Sequence, residues 1–394
     1  MSANRILSID IFRGLTIFLM VFVNDLIPVA GIPAWMKHAE ADANMMTFVD
    51  VVFPAFLFIV GISVPLALGI RIAKGQSYGE IGKHILVRTL GLVILGVFMV
   101  NSEEMAAEPN LISKSWWDVL LYLSAVLIWN RYPRAEGTKR HLFLGLQIVG
   151  MLTLAVLALL YPKGDGDILI GMATSWWGIL GLIGWAYLLS AVVYLLFKDN
   201  IGALIGMLAL FILIVVGLQS EALNLPSFLT WLNSQALHFA HASLTLAGII
   251  FSLLFLQSTT TKTYKERING MLIMGLFFLA GGYCLEPVGG ISKLYATPSW
   301  ALYSAAICCF LFPFFFWLVD LKGITRWANF LKPAGTNPLL TYILPFIFYS
   351  IFGLTYLPEA FNEGFLGILR SILFSLFILG ITSFLTKWRI MLKL

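Results

Sequence analysis

The chain has 394 residues, of which 60% are hydrophobic and 11% charged, and a formal net charge of +5. Soluble domains carry roughly a quarter charged residues, so no aqueous fold could hide this much apolar surface and the bilayer becomes the first partner. The basic residues are scattered through short loops instead of forming a stripe with interleaved aromatics, which argues against nucleic acid.

Inside hydrocarbon every backbone N–H and C=O must be satisfied internally, which leaves helices or a closed barrel. The apolar runs are long and lack period-2 alternation, so helices are expected. A crossing needs about 20 residues. Twelve runs qualify in chain order: 9–30, 48–70, 84–100, 116–129, 141–161, 175–197, 201–218, 242–257, 268–285, 299–319, 337–352 and 365–385. The fourth and eighth are short, so the expected fold is an all-α polytopic integral membrane bundle of about 12 transmembrane helices, with 10–12 as the range. No soluble linker or repeat divides it, and residues 1–394 read as a single membrane domain. The first run has no small-residue cleavage site after it and reads as a retained anchor.

Loop charge sets the orientation, because Lys and Arg accumulate on the cytoplasmic side. One alternating set of loops and ends holds eighteen, from Arg5 through Arg71, Arg131, Lys198, Lys262 and Lys322 to Lys393. The opposite set holds four, Lys37, Lys114, Lys163 and Lys293, together with acids such as Glu103, Glu108, Asp165, Asp167, Glu221 and Glu286. This asymmetry predicts an even number of crossings with cytoplasmic N- and C-termini. Tryptophans at run ends, including Trp35, Trp116, Trp117 and Trp300, are expected at headgroup level.

Polar residues in or beside spans are costly in lipid and therefore informative. Asp10 and Arg13 lie three apart and can form a local ion pair, or Arg13 can face a phosphate-bearing ligand. His38 follows the first span, with Glu40, Asp42 and Asp50 as carboxylates that could orient it as a general base; a solvated loop histidine is the plainer alternative. Asn337 stands at a helix start as a cap or an anion-binding group. His238 and His241 share a face but lack a third ligand, and Cys284, Cys308 and Cys309 sit in apolar runs, so neither metal nor disulfide is expected. No P-loop, nucleotide-binding glycine motif or nucleophile elbow occurs, so any catalysis is assembled between helices.

The segments Ser8-Ile9-Asp10-Ile11-Phe12-Arg13-Gly14, Val23-Asn24, Lys37-His38-Ala39 and Asp50-Val51-Val52-Phe53-Pro54 are similar to the N-terminal signature of the heparan-alpha-glucosaminide N-acetyltransferase family of transmembrane acyltransferases and its bacterial relatives. Lys293-Leu294 with Trp300, Asp320-Leu321-Lys322-Gly323 and Gly335-Thr336-Asn337 resemble its C-terminal spans. The resemblance implies transfer of an acetyl group from acetyl-CoA to an extracytoplasmic sugar or amino sugar. It carries the active histidine onto His38 as base or acyl carrier, with Asn24 and Asp50 beside it. Arg13, Asp10, Lys293, Asn337, Lys322 and Arg326 are the candidate substrate-binding residues, the last two for CoA phosphates. The family's Trp-x-Gly after the histidine is replaced here by Ala39–Met46. The expected location is the cytoplasmic (inner) membrane of a bacterium, with the His38 loop outside and a homodimer left open. A solute transporter or flippase, or an inactive relative, is the competing reading.

Overall fold

The computed structural model describes residues 6–105, 112–161, 171–220, 226–256, 263–353 and 358–394. The loop charges Arg5, Glu108, Lys163, Asp165, Asp167, Glu221 and Lys262 lie outside the described residues. Every one of the twelve apolar runs is helical: α1 (Leu7–Leu26), α2 (Phe48–Ala73), α3 (Tyr78–Glu104), α4 (Lys114–Trp129), α5 (Thr138–Leu159), α6 (Ile179–Phe197), α7 (Ile201–Gln219), α8 (Ala236–Phe251), α9 (Tyr264–Gly289), α10 (Pro298–Phe315), then the single-turn α11 (Lys332–Thr336), α12 (Pro338–Phe352) and α13 (Gly364–Lys387). No named strand occurs among the described residues.

Ten of these helices are long and apolar enough to cross a membrane, while α4 and α12 are shorter. The eighth span departs from expectation. A 3₁₀ lead-in from Ser227 and a π-turn over Ser252–Leu256 make it a continuous 30-residue segment. His238 and His241, with the polar residues of Ser227–Gln235 before them, end the apolar run in the sequence without ending the helix.

Local chemistry fixes the helix starts. Ser77 with Glu80 and Thr263 with Glu266 form reciprocal capping boxes at α3 and α9. Asp320 caps α1 from a distant part of the chain, its two oxygens accepting from Leu7 N at 2.8 Å and Ser8 N at 3.1 Å. A carboxylate there also complements the positive end of the helix dipole.

The most enclosed helices are α2 and α8, which pack directly on one another. Their approach depends on glycine: a Cβ on Gly61 would stand 2.0 Å from Thr245 O, and one on Gly248 would stand 2.1 Å from Phe58 O. Small residues give helices in lipid the close van der Waals contact that replaces the hydrophobic drive. By contrast α5, α7 and α9 are the least enclosed and turn Leu152, Leu213 and Phe277 outward, as lipid-facing helices should.

One end of the bundle gathers the N-terminal half of α1 and the C-terminal segment. Gly14 of α1 abuts Leu331, Arg13 donates to Gly335 O, and the C-terminal segment is tied by Leu392 N to Asn337 Oδ1 and by Lys393 N to Trp129 O. Trp117 and Trp300, near the starts of α4 and α10, are fully buried within the protein. Trp117 Nε1 donates to Leu157 O at 3.2 Å and Trp300 Nε1 to Asp50 O at 3.1 Å, which satisfies each buried indole.

Candidate active site

Asp50 is the third residue of α2, and its position follows from the capping box with Thr47. Its Oδ2 accepts from Thr47 N at 3.0 Å, Thr47 Oγ1 at 3.2 Å and Ala39 N at 3.1 Å. Its Oδ1 lies 2.7 Å from His38 Nδ1. An ionised carboxylate can only accept, so Nδ1 carries the proton and Nε2 presents a lone pair. Of the three carboxylates near His38 in sequence, Asp50 is therefore the orienting one, whereas Asp42 accepts from Tyr295 Oη at 3.2 Å. The Asp50 side chain is 2% exposed and that of His38 34%, so a buried anion holds a ring open to solvent.

Lys293 arrives from the loop between α9 and α10. That loop is folded by Thr297 N on Ser292 O and by Ala296 in the left-handed region, φ 50°. It is stitched to the His38 loop by Ile291 N, which donates to Asn44 Oδ1 at 2.7 Å. The segment Ala39–Met46 thus serves as a clamp between the two loops. Lys293 Nζ lies 3.2 Å from His38 Nδ1 and 3.3 Å from Nε2. An in-plane approach equidistant from both nitrogens would collide with Cε1, so the ammonium stands against the ring face. Burial pulls the Lys293 amine down to about 8, partly opposed by the Asp50 charge.

Beneath His38 lies a cavity of ≈ 360 Å³. Asn24, His38, Glu103, Lys293, Tyr342 and Tyr349 supply its polar lining, with Met20, Val52, Phe53 and Phe346 among the apolar walls. The Asn24 amide and the Glu103 carboxylate have no side-chain hydrogen-bond partner among the described residues, so both are available to a ligand. Tyr349 is fixed from behind: its hydroxyl donates to Asp25 Oδ1 at 2.5 Å. Asp25 also accepts from Arg370 at 3.0 Å and Ser371 Oγ at 2.6 Å, forming a buried ion pair that joins α1 to α12 and α13.

A second cavity of ≈ 380 Å³ occupies the end of the bundle that holds the C-terminal segment. Arg13, His84, Arg88, Arg131 and Lys393 line it, so it is strongly basic. Met20 and Tyr342 line both cavities and form the wall between them.

Of the residues expected from sequence, His38, Asp50, Asn24 and Lys293 meet at one mouth. Arg13 lies at the other, bound to Asp10 Oδ1 at 3.2 Å and to Ser63 Oγ at 2.7 Å. Lys322 and Arg326 line neither cavity; Lys322 sits over the Trp317 ring. Asn337 is occupied within the protein, since Nδ2 donates to Thr386 Oγ1 and Ile390 O while Oδ1 accepts from Leu392 N. His241 Nδ1 bonds Leu237 O at 2.6 Å, and its ring packs against Phe53 and Trp300. The sequence reading missed Glu103, Tyr342 and Tyr349. Arg88, ten residues inside α3, lines the basic cavity, and a charge that deep in an apolar helix was a usable signal. Arg370 of α13 likewise has its guanidinium buried against Asp25.

The profile of a family described only as a domain of unknown function (DUF5009) matches residues 5–240. A Mus musculus protein named heparan-alpha-glucosaminide N-acetyltransferase is 40% identical over 101 residues, 25% of this chain and 14% of that protein. The Homo sapiens protein of the same name is 38% identical over 160 residues, 40% of this chain and 20% of that protein. The matched stretch therefore spans a fifth or less of these curated relatives.

Proposed function

The chain belongs to the DUF5009 family, and from that membership, its partial likeness to two named N-acetyltransferases and the His38–Asp50 pair over a cavity, we propose that it is a membrane acyltransferase. The donor is acetyl-CoA and the acceptor a sugar or amino sugar that approaches from the His38 side. The observation that carries this reading is a pair of abutting cavities of opposite character, one basic and one holding an oriented imidazole, with a wall of two side chains between them.

In this reading the CoA nucleotide sits in the basic cavity. Guanidinium groups of Arg13, Arg88 and Arg131, with Lys393, suit phosphate oxygens. The pantetheine arm passes Met20 and Tyr342 and delivers the thioester to His38. Asp50 fixes the tautomer that leaves Nε2 free to attack the carbonyl carbon, as an orienting carboxylate does in a catalytic triad. Asn24 donates to the carbonyl oxygen as negative charge develops, a contribution of about 3 kcal/mol for one donor in a water-poor site. By the loop-charge rule the basic cavity faces the cytoplasm and the His38 loop the far side.

The test is transfer of label from acetyl-CoA to a panel of amino sugars and glycans by purified protein, compared with His38→Ala. Transfer that depends on His38 supports the reading. Acetyl-independent solute counterflow in liposomes would favour a transporter, for which two cavities meeting at mid-bundle would also serve.

A further inference from the structure

We propose that Lys293 is the proton shuttle of the acyl transfer, acid to the departing thiol in the first half-reaction and base to the acceptor in the second. This rests on the acyltransferase reading above.

The need for a second proton carrier follows from the ring geometry. Asp50 commits Nδ1–H of His38, so Nε2 is the atom left to take the acetyl group. Once Nε2 is acetylated it can no longer accept a proton, and the proton left on Nδ1 is held by Asp50. Two protons must still move, one onto the sulfur of CoA and one off the incoming acceptor. Lys293 Nζ is within 3.3 Å of both ring nitrogens and lines the same cavity, next to where the carbonyl must sit. The other titratable groups facing it are His38 itself, Asp50 from α2 and His241 from α8, with Glu103 on the cavity wall.

In the first half-reaction the Nε2 lone pair forms a bond to the acetyl carbon and the C–S bond breaks. The sulfur leaves with its electron pair and takes a proton from Lys293, giving free CoA thiol, a neutral amine and a positively charged acetylimidazole. In the second, the acceptor oxygen or neutral amine nitrogen attacks the acetyl carbon and the bond to Nε2 breaks. The pair returns to the ring, and the acceptor's proton passes to Lys293. Both groups end as they began. One positive charge alternates between lysine and acetylated ring, so an acetylated cation never stands beside an ammonium at this separation. Burial holds the amine at about 8, close to an ordinary thiol at roughly 8.5, so the proton can pass either way without a large energetic step.

The experiment compares wild type, Lys293→Met, Lys293→Arg and His38→Ala, following thiol release from acetyl-CoA and phenolate release from p-nitrophenyl acetate, whose leaving group needs no proton. With acetyl-CoA, Lys293→Met should lower kcat/KM by about 100-fold or more and abolish the decline of the wild-type rate above about pH 8. With p-nitrophenyl acetate it should lose less than about tenfold. Lys293→Arg, which keeps the charge but holds its proton, should behave as Lys293→Met. Equal losses on both esters, or wild-type rates in Lys293→Arg, would overturn the shuttle and leave a packing or charge role. A wild type that releases no CoA, or an unaffected His38→Ala, overturns the acyltransferase reading and the shuttle with it. His38-dependent release that is unchanged in Lys293→Met overturns the shuttle alone.

Discussion

Asp50 meets His38 with one carboxylate oxygen at 2.7 Å and closes the N-terminal turn of α2 with the other. One buried side chain therefore both starts the second span and selects the tautomer of the ring above it. Asp50→Asn keeps the size but lets an amide donate toward Nδ1, which drives the proton onto Nε2. Acetyl transfer should fall by at least ~100-fold. Thermal unfolding in detergent should shift by no more than a lost cap, about 1 kcal/mol. A variant that transfers acetyl at the wild-type rate would remove Asp50 from the mechanism.

Lys293 links pH to stability as well as to rate. Its amine is pulled from the usual 10.5 to about 8 by burial, so between these values the unfolded chain binds the proton that the folded chain has lost. Stability therefore rises with pH across that window. Lys293→Met should melt higher than wild type below about pH 8. The gap should close as pH climbs toward 10.5, and a gap that widens there would contradict the burial of the ammonium.

The buried pair of Asp25 and Arg370 is a structural hinge pin beside the cavity. Arg370→Met leaves the Asp25 charge without its cation in a site with 2% exposure, at a cost of about 3–5 kcal/mol. The double change Asp25→Leu with Arg370→Met removes both charges and should regain most of that loss. Melting curves of Arg370→Met, Asp25→Leu and the double variant measure this, and strict additivity would argue against direct pairing.

Met20 and Tyr342 separate the two cavities, and the donor route has to pass them. Met20→Trp should lower transfer from acetyl-CoA by about tenfold or more while sparing p-nitrophenyl acetate, which reaches His38 from its own mouth. In the same assay Arg88→Gln should raise KM for acetyl-CoA by about tenfold and leave acetyl-pantetheine, which lacks the nucleotide phosphates, unaffected. Equal effects on both donors would place the CoA phosphates elsewhere.

The helical architecture was readable because lipid forbids unsatisfied backbone, so each apolar run had one structural outcome. The eighth span was misjudged in length because His238, His241 and the polar Asn233, Ser234 and Gln235 look like a loop in a hydropathy pattern, whereas its helix continues back to Ser227. His38 and Asp50 were legible as polar groups beside span ends, and Asn24 came from the family resemblance. Lys293, 255 positions from His38 in the chain, came from family likeness, and its contact with the ring depends on Asn44 clasping a distant loop. Asn337 illustrates the converse: the residue type suggested a ligand, but its amide is consumed by the C-terminal segment, a partner that no local spacing reveals. Glu103 and Tyr349 escaped because a cavity is a property of packing across helices.

The most direct measurement is transfer across a membrane. Protein reconstituted in one orientation would receive labelled acetyl-CoA only at the basic end, with the amino-sugar acceptor confined to the His38 side. The account predicts labelled product on the acceptor side in wild type and none with His38→Ala. Product formed only when donor and acceptor share one compartment, or formed equally well without His38, would contradict it.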